Sequence, residues 1–144
     1  MQLSPRVIRH SLLWLFLFSL CQNVHAEYVD LDPPFVVNLY SEREIKFAQV
    51  SAQVRVNGKQ AVSALATHNP AIRHALVMLF SSKTPEQASS RQGKEELRTE
   101  AVETIRQVLE EQQVKFNTVQ EDAPQDTAPQ SPIQDVFFTR FIIQ

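Results

Sequence analysis

The sequence predicts an α+β domain, in which a small antiparallel or mixed sheet packs with about three helices. Strict alternation of apolar and polar residues from Val50 to Val56 is typical of a strand. Between residues 70 and 110, apolar residues recur three and four positions apart, which predicts helices. Residues 136–144 form an apolar, aromatic run without a turn residue. Because strands precede and follow the helical stretch, the elements fit an α+β arrangement.

The first 26 residues have the pattern of an export signal. Arg6 and Arg9 form a basic region without acids, an apolar run from residue 11 to 21 follows, and Ala26 ends a small-residue cleavage pattern. As a helix, the apolar run spans only about 16 Å, whereas a bilayer core is about 30 Å thick. We therefore predict a signal peptide cleaved after Ala26, with a short uncleaved signal anchor as the alternative.

Composition limits what the exported part does. The formal net charge of the whole chain is −2, and the exported part, without Arg6 and Arg9, is more acidic still, which argues against nucleic acid as a partner. The two glycines exclude a fold with several phosphate-binding glycine loops. The single cysteine, Cys21, lies in the targeting segment, so a chain cleaved after Ala26 would have no thiol and no disulfide. Residues 27–144 are long enough for one periplasmic domain and too short for two.

The first half of this domain is expected to be extended. Pro33 and Pro34 fix a stiff kink before a short strand at residues 35–39. A second strand contains Phe47 and Val50, and its apolar residues change parity between these two positions. A change of one residue in register predicts a β-bulge there. The dipeptide at 57–58, Asn-Gly, predicts a tight turn.

Three helices are expected next. Residues 59–68 form the first, and Asn69 before Pro70 is a cap-and-proline start signal for the second. Thr84 begins a sequence with the form of a capping box, and a longer third helix starts at Gly93. The inward-facing residues expected on these three helices are Val62, Leu65 and Ala66; Ile72, Ala75, Leu76, Leu79 and Phe80; and Leu97, Ala101, Ile105 and Val108.

The last part of the chain contains two predicted strands and a loop between them. Residues 114–119 are typical of a strand, and the acidic, proline-rich residues 120–132 predict a mobile loop. In the final run, period two places Phe141 on one face and Phe138 on the other. Phe137 and Ile143 share the face of Phe141, whereas Ile142 shares that of Phe138.

Since both faces of this terminal run are apolar, we expect it to be a central strand or one covered on both sides. If the ring of Phe141 is fully buried, its replacement by alanine should lower stability by about 3–5 kcal/mol.

No constellation of catalytic, cofactor-binding or metal-binding residues is predicted. His68 and His74 are six residues apart, and a zinc pair on a helix uses a spacing of four. Ser81 lacks the context of a nucleophile elbow. Asp30 and Asp32 could suggest a metal, but acids on the solvent side of an extended segment explain them better. The sequence therefore predicts a protein that is not an enzyme.

Four segments resemble the FliL family of flagellar basal-body proteins. They are residues 31–39, 69–76, 93–98 and 136–144, and they occur in the order that the family shows. The resemblance implies a stomatin-like (SPFH-like) periplasmic domain that assembles into a homo-oligomeric ring. It also implies a position at the inner membrane, where the ring surrounds the periplasmic linker of a MotA/MotB-type stator and supports torque, swimming, swarming and chemotaxis.

Two motifs supply the residues for which we predict structural or assembly roles. The first motif contributes Pro33, Pro34 and Phe35, and the last contributes Phe137, Phe138, Phe141 and Ile143. A monomeric exported binding module that shares only the fold remains the alternative function. Ring assembly, or a motility defect on deletion, distinguishes the two.

Overall fold

The computed structural model describes residues 26–42, 44–116 and 131–144. Within these ranges the fold is α+β, as predicted, with four helices instead of about three. The elements are β1 (Ala26–Asp30), β2 (Phe35–Leu39), β3 (Lys46–Asn57), α1 (Lys59–Thr67), α2 (Asn69–Ser81), α3 (Pro85–Ser89), α4 (Arg91–Glu111) and β4 (Ile133–Ile143).

The four strands form one antiparallel sheet around β3. Strands β1 and β2 lie one after the other along the same edge of β3. Val29 of β1 lies opposite Val54, and Phe35 of β2 lies opposite Val50. Along its other edge, β3 pairs with β4, where Val136 also lies opposite Val54. The peptide bond before Pro33, between β1 and β2, is cis. The long strand β3 therefore organises the sheet.

One face of the sheet is buried against the helices. Alternate residues of β3 from Ala48 to Val56 are fully or almost fully buried, as period two requires. The helices contribute the stripes that the sequence predicts on α2 and α4, with Ile72, Leu76, Phe80, Leu97, Ala101 and Ile105 all buried. We call this the inner face of the sheet, and the opposite one the outer face.

The β-bulge predicted between Phe47 and Val50 is wrong. The β2–β3 register runs without interruption through these positions. Phe47 points to the outer face, and Ala48 continues the buried parity of Val50, so no register change is needed. The irregularities occur in β4 instead, where the pairing with β3 skips Thr139 and Gln134. Bulges of this kind re-aim the side chains that follow them.

The irregularity at Thr139 changes which faces the terminal residues occupy. Phe138 and Phe141 lie opposite the buried Ala52 and Val50, so they share the inner face. Phe137 lies opposite Gln53 and takes the outer face. The predicted sharing of one face by Phe137 and Phe141 is therefore wrong. Period two fails here because an extra residue separates the two halves of the strand.

The position of β4 also differs from the prediction. Among the described strands it pairs with β3 alone, so it is an edge strand and not a central one. Helix α4 packs against its inner side. Its outer-face residue Ile142 remains exposed, so the strand is covered on one side only.

The connection from the sheet to the helices begins at Gly58. Its φ of +83° is a conformation that glycine adopts without a Cβ penalty, as the predicted turn requires. Only His68 separates α1 from α2. Asn69 is the first residue of α2 and not its cap, and its buried Oδ1 has no hydrogen-bond partner within the described part of the chain. The predicted capping role of Asn69 is therefore wrong.

The capping box at Thr84 is confirmed, but it begins a separate short helix. The Thr84 side chain accepts from the Gln87 backbone, and the Gln87 side chain accepts from the Thr84 backbone. Helix α4 has its own cap, Ser90, whose hydroxyl accepts from the Gly93 backbone at 2.9 Å. The long helix therefore starts at Arg91 and not at Gly93.

Several smaller predictions also differ from the structure or lie outside the described residues. Residues 114–116 are not in a strand, and the rest of the predicted strand at 114–119 lies outside the described residues, as do residues 120–130 of the predicted loop. On α1, Ala66 is exposed and Ala61 and Ala64 are buried with Leu65. Met78 of α2 is 62% exposed.

Candidate functional site

Four phenylalanines form a continuous row on the inner face. Phe80 of α2 makes edge-on contacts with Phe35 of β2 at 5.6 Å and with Phe138 of β4 at 5.8 Å. Phe138 in turn contacts Phe141 at 5.7 Å. Edge-on rings at these separations attract one another beyond their burial. The row therefore joins both edges of the sheet through one helix. It brings together Phe35, Phe138 and Phe141, three of the residues predicted to have structural or assembly roles.

Arg73 supports the first motif in a way that the sequence did not indicate. Its guanidinium carbon lies 4.3 Å from the centre of the Phe35 ring, and its Nη1 donates to the Leu31 carbonyl at 2.8 Å. Pro33 and Pro34 are exposed beside this contact. Arg73 and its partners are remote in sequence, so no local pattern could have revealed the pair. The motif thus holds the β1–β2 junction against α2.

On the outer face, the ring of Phe137 contacts one side chain of the adjacent strand β3 and one of β1, which lies beyond β3. Its ring is 6.0 Å from that of Tyr28 in β1 and 5.7 Å from the guanidinium of Arg55 in β3. A cation over an aromatic ring is attracted to it. The ring is half-buried without any helix on this side, because its own sheet covers it.

A second outer-face cluster lies at the other end of the sheet, beside the β2–β3 turn. Val36 and Ile142 both pair with Gln49, one on each side of β3, and Phe47 is two residues before Gln49. Tyr40 and Ile45 lie just beyond the strands. We call these five apolar residues the distal patch; their exposed fractions are 69% for Val36, 59% for Tyr40, 75% for Ile45, 46% for Phe47 and 40% for Ile142.

Asp135 connects three elements at the edge of the sheet. Its Oδ2 lies 3.4 Å from Nη1 of Arg98 in α4 and 3.8 Å from Nη2 of Arg55 in β3, and its Oδ1 accepts from the Val136 backbone. The side chain of Asp135 is only 18% exposed. Because a partly buried ion pair is screened less than a surface pair, this link fastens β4 to both neighbours.

A groove of about 290 Å³ runs between α4 and the edge of β4. Arg106 closes one end by donating to the Ile133 carbonyl at 2.8 Å, and Arg98 and Asp135 pair across it. Exposed carboxylates of Glu95 and Glu103 pair with the same arginines. The charged side chains of the groove therefore pair with one another, and these pairs hold α4 against β4.

The remaining predicted site residues lie in different places. Arg6 and Arg9 fall outside the described residues, whereas Ala26 opens β1 opposite Asn57. His68 is half-buried at the α1–α2 junction, and His74 is exposed. In the described ranges there is no group of three or more histidine, cysteine, aspartate or glutamate residues that could hold a metal ion. Within the same ranges no helix is long and apolar enough to cross a membrane.

The geometry defines the class of the protein as a small α+β domain with one antiparallel sheet and four described helices, whose most distinctive exposed feature is the apolar distal patch. Comparison with known families gives the more particular assignment. The model of the flagellar basal body-associated protein FliL matches residues 28–144. The chain belongs to this family.

A curated relative agrees with the assignment. The chain is 30% identical over 114 residues to the "Flagellar protein FliL" of Aquifex aeolicus (strain VF5). The match covers 79% of this chain and 59% of that relative. The chain thus spans less than two thirds of the length of the relative.

Proposed function

We propose that this protein is an accessory component of the flagellar basal body that self-associates into a ring, contacts the stator and supports motor torque. The observation that carries the proposal is the family match, which begins within β1 and extends through every later described element to the end of β4. The FliL family is associated with the basal body. The exposed distal patch supports a role in protein contacts, since large exposed apolar clusters mark interaction sites.

We also propose that the domain acts on the periplasmic side of the inner membrane, delivered there by residues 1–26. Its partners would be MotA/MotB-type stator units, and many weak subunit contacts acting together could hold a ring around them. No enzymatic step is part of this proposal. A monomeric exported binding module is the alternative, and the family match favours the flagellar role over it.

The targeting proposal predicts processing after Ala26. The apolar run at residues 11–21 is short for a span, and Ala26 follows a small-residue cleavage pattern. N-terminal sequencing of the protein from fractionated cells should therefore begin at Glu27. A chain that still begins at Met1 and resists carbonate extraction would establish an uncleaved anchor instead.

The flagellar proposal predicts a motility defect that grows with load. A strain that lacks this protein should still assemble flagella, but it should swim poorly in viscous medium and swarm poorly on agar. Motor torque, measured from the rotation of tethered cells, should fall. Unimpaired swimming at high viscosity would contradict the flagellar role and favour the binding module.

Two truncated chains make this test specific. A chain without residues 136–144 should fail to restore motility, because β3 loses seven of its nine paired positions with β4 and Phe80 loses Phe138. A chain that lacks only residues 125–131 should restore motility if this segment is merely a linker. Immunoblots of both chains separate a loss of function from a loss of the protein.

A further inference from the structure

The peptide bond at which the targeting segment would be removed lies inside a strand. Strand β1 begins at Ala26, so the bond between Ala26 and Glu27 is the first peptide bond of the sheet. Ala26 pairs with Asn57 and Glu27 pairs with Val56, both at the end of β3. Only residues 22–25 separate Ala26 from the apolar run of the targeting segment. The cleavage position and the start of the sheet therefore coincide.

The residues that follow this bond are fastened along β3. Val29 lies opposite the fully buried Val54 and packs against the core. On the neighbouring position, the side-chain amide of Gln53 donates to Oδ1 of Asp30 at 2.8 Å. The pairing with β3 is continuous through all five residues of β1. The segment that a protease would have to hold is therefore already engaged within the fold.

The far end of β1 is fixed to the helices as well as to the sheet. The Leu31 backbone donates to the Ala52 carbonyl at 3.0 Å, and the Leu31 carbonyl accepts from Arg73 of α2 at 2.8 Å. The Leu31 side chain is only 2% exposed. Release of β1 from β3 is therefore a local unfolding event that breaks buried contacts, which costs more free energy than the movement of a surface loop.

Proteolysis depends on exactly this kind of opening. Proteases cut most readily at exposed loop tips, whereas a bond in a paired strand is cut through the small fraction of molecules in which that strand has opened. The bond between Ala26 and Glu27 belongs to the second group once β1 has paired with β3. A folded domain is therefore a poor substrate at the position that the targeting signal marks.

The pairing that covers the bond needs only the first part of the domain. Strands β1, β2 and β3 all lie within residues 26–57, whereas the helices and β4 come later in the chain. Contacts between residues that are close in the sequence form faster than distant ones, because less chain entropy is lost in closing the loop. Pairing of β1 with β3 is therefore expected to form before the pairing of β3 with β4.

We propose that pairing of β1 with β3 protects the bond between Ala26 and Glu27, so that any chain that folds before cleavage keeps its N-terminal segment. The proposal rests on the cleavage signal proposed above and makes the fold the regulator of its use. Cleavage adds one water molecule across the bond, leaving a carboxylate on Ala26 and a new amino group on Glu27. The rates of cleavage and of strand pairing then decide how much of the protein is released from residues 1–25.

A glutamyl endopeptidase tests this protection without the signal peptidase, because it cuts after Glu27, one bond farther along β1. In the full-length chain in mild detergent, Val29→Asp should be cut there at least about ten-fold faster than the wild type, since a charge facing Val54 weakens the pairing. Cutting after the exposed Glu44 should be equal in both chains. A wild-type chain that is cut as fast after Glu27 as after Glu44 would overturn the proposal.

The matched control is the same substitution on the next strand. Val36 of β2 is 69% exposed, so Val36→Asp should leave the rate of cutting after Glu27 unchanged. Thermal melting shows whether Val29→Asp is folded. Gln53→Ala is a milder variant outside the targeting signal, and its loss of the Asp30 contact should raise the rate about three-fold. Equal rates in the wild type and in both weakened variants would also contradict the proposal.

Pulse-chase labelling in cells separates this proposal from the cleavage signal on which it rests. Processing should be confined to newly made chains, and Gln53→Ala should prolong it. Continued processing of old, folded wild-type chains would refute the protection. If no chain is ever processed in cells but the endopeptidase still distinguishes Val29→Asp from the wild type, β1 protects its backbone as described and the cleavage signal at Ala26 is wrong.

Discussion

Phe80→Ala should lower the free energy of unfolding by about 3–5 kcal/mol, the range for removal of a fully buried aromatic ring. Phe80 is 1% exposed and is the member of the aromatic row that contacts both Phe35 and Phe138. Its loss leaves a cavity between the two edges of the sheet. Since small domains are stable by only about 5–15 kcal/mol, urea unfolding should show a large shift in midpoint.

The control for this prediction is Phe141→Ala at the end of the same row. Phe141 is only half-buried, and Lys94 lies over its ring at 5.6 Å. The cost should therefore be nearer 1–2 kcal/mol than the 3–5 kcal/mol expected for a fully buried ring. If the two variants shifted the midpoint of urea unfolding equally, Phe80 would not be the ring that contributes most to the stability of the row.

Gly93→Ala should destabilise the domain by about 3 kcal/mol, at the upper end of the range for overpacking. In most helices this change is favourable by about 1 kcal/mol, because alanine has the higher helix propensity. Here the first turn of α4 lies directly against the end of α3, and a Cβ at position 93 would overlap the Gln87 carbonyl. Since that atom belongs to the backbone, it cannot rotate away.

Gln92→Ala is the matched control at the preceding position. Gln92 is exposed and its amide contacts Glu96 one turn later, so its removal should change stability by less than about 0.5 kcal/mol. Thermal unfolding followed by circular dichroism compares the two variants directly. A Gly93→Ala protein as stable as the wild type would show that α3 and α4 are not packed as closely as described.

The sequence was informative where a local pattern decides the structure. The capping box at Thr84 is confirmed because its four residues contain both hydrogen bonds. The stripes of α2 and α4 are confirmed because three- and four-residue spacing already fixes a helix face. The alternation of β3 predicted the buried residues from Val50 to Val56 for the same reason.

The predictions that were wrong concern residues whose contacts in the fold lie far away in the sequence. The face of Phe137 follows from an irregularity that exists only because Ser51 pairs with Arg140 and Ala52 with Phe138. An apolar run of β4 suggested burial on both sides, but Tyr28 and Arg55 of the same sheet cover Phe137. For the same reason, the supporting role of Arg73 had no sequence signal.

The pairing of β3 with β4 has a consequence for the order of events in folding. The strand that completes the sheet is separated from its partner by all four helices, so its pairing closes a very long loop. Contacts of this kind form slowly, because chain entropy must be lost before they stabilise anything. Until residues 133–143 have been synthesised, the backbone N–H and C=O groups along one edge of β3 therefore lack their partners in β4. An unpaired strand edge can pair with another chain, so the protein is most prone to aggregation before β4 is complete.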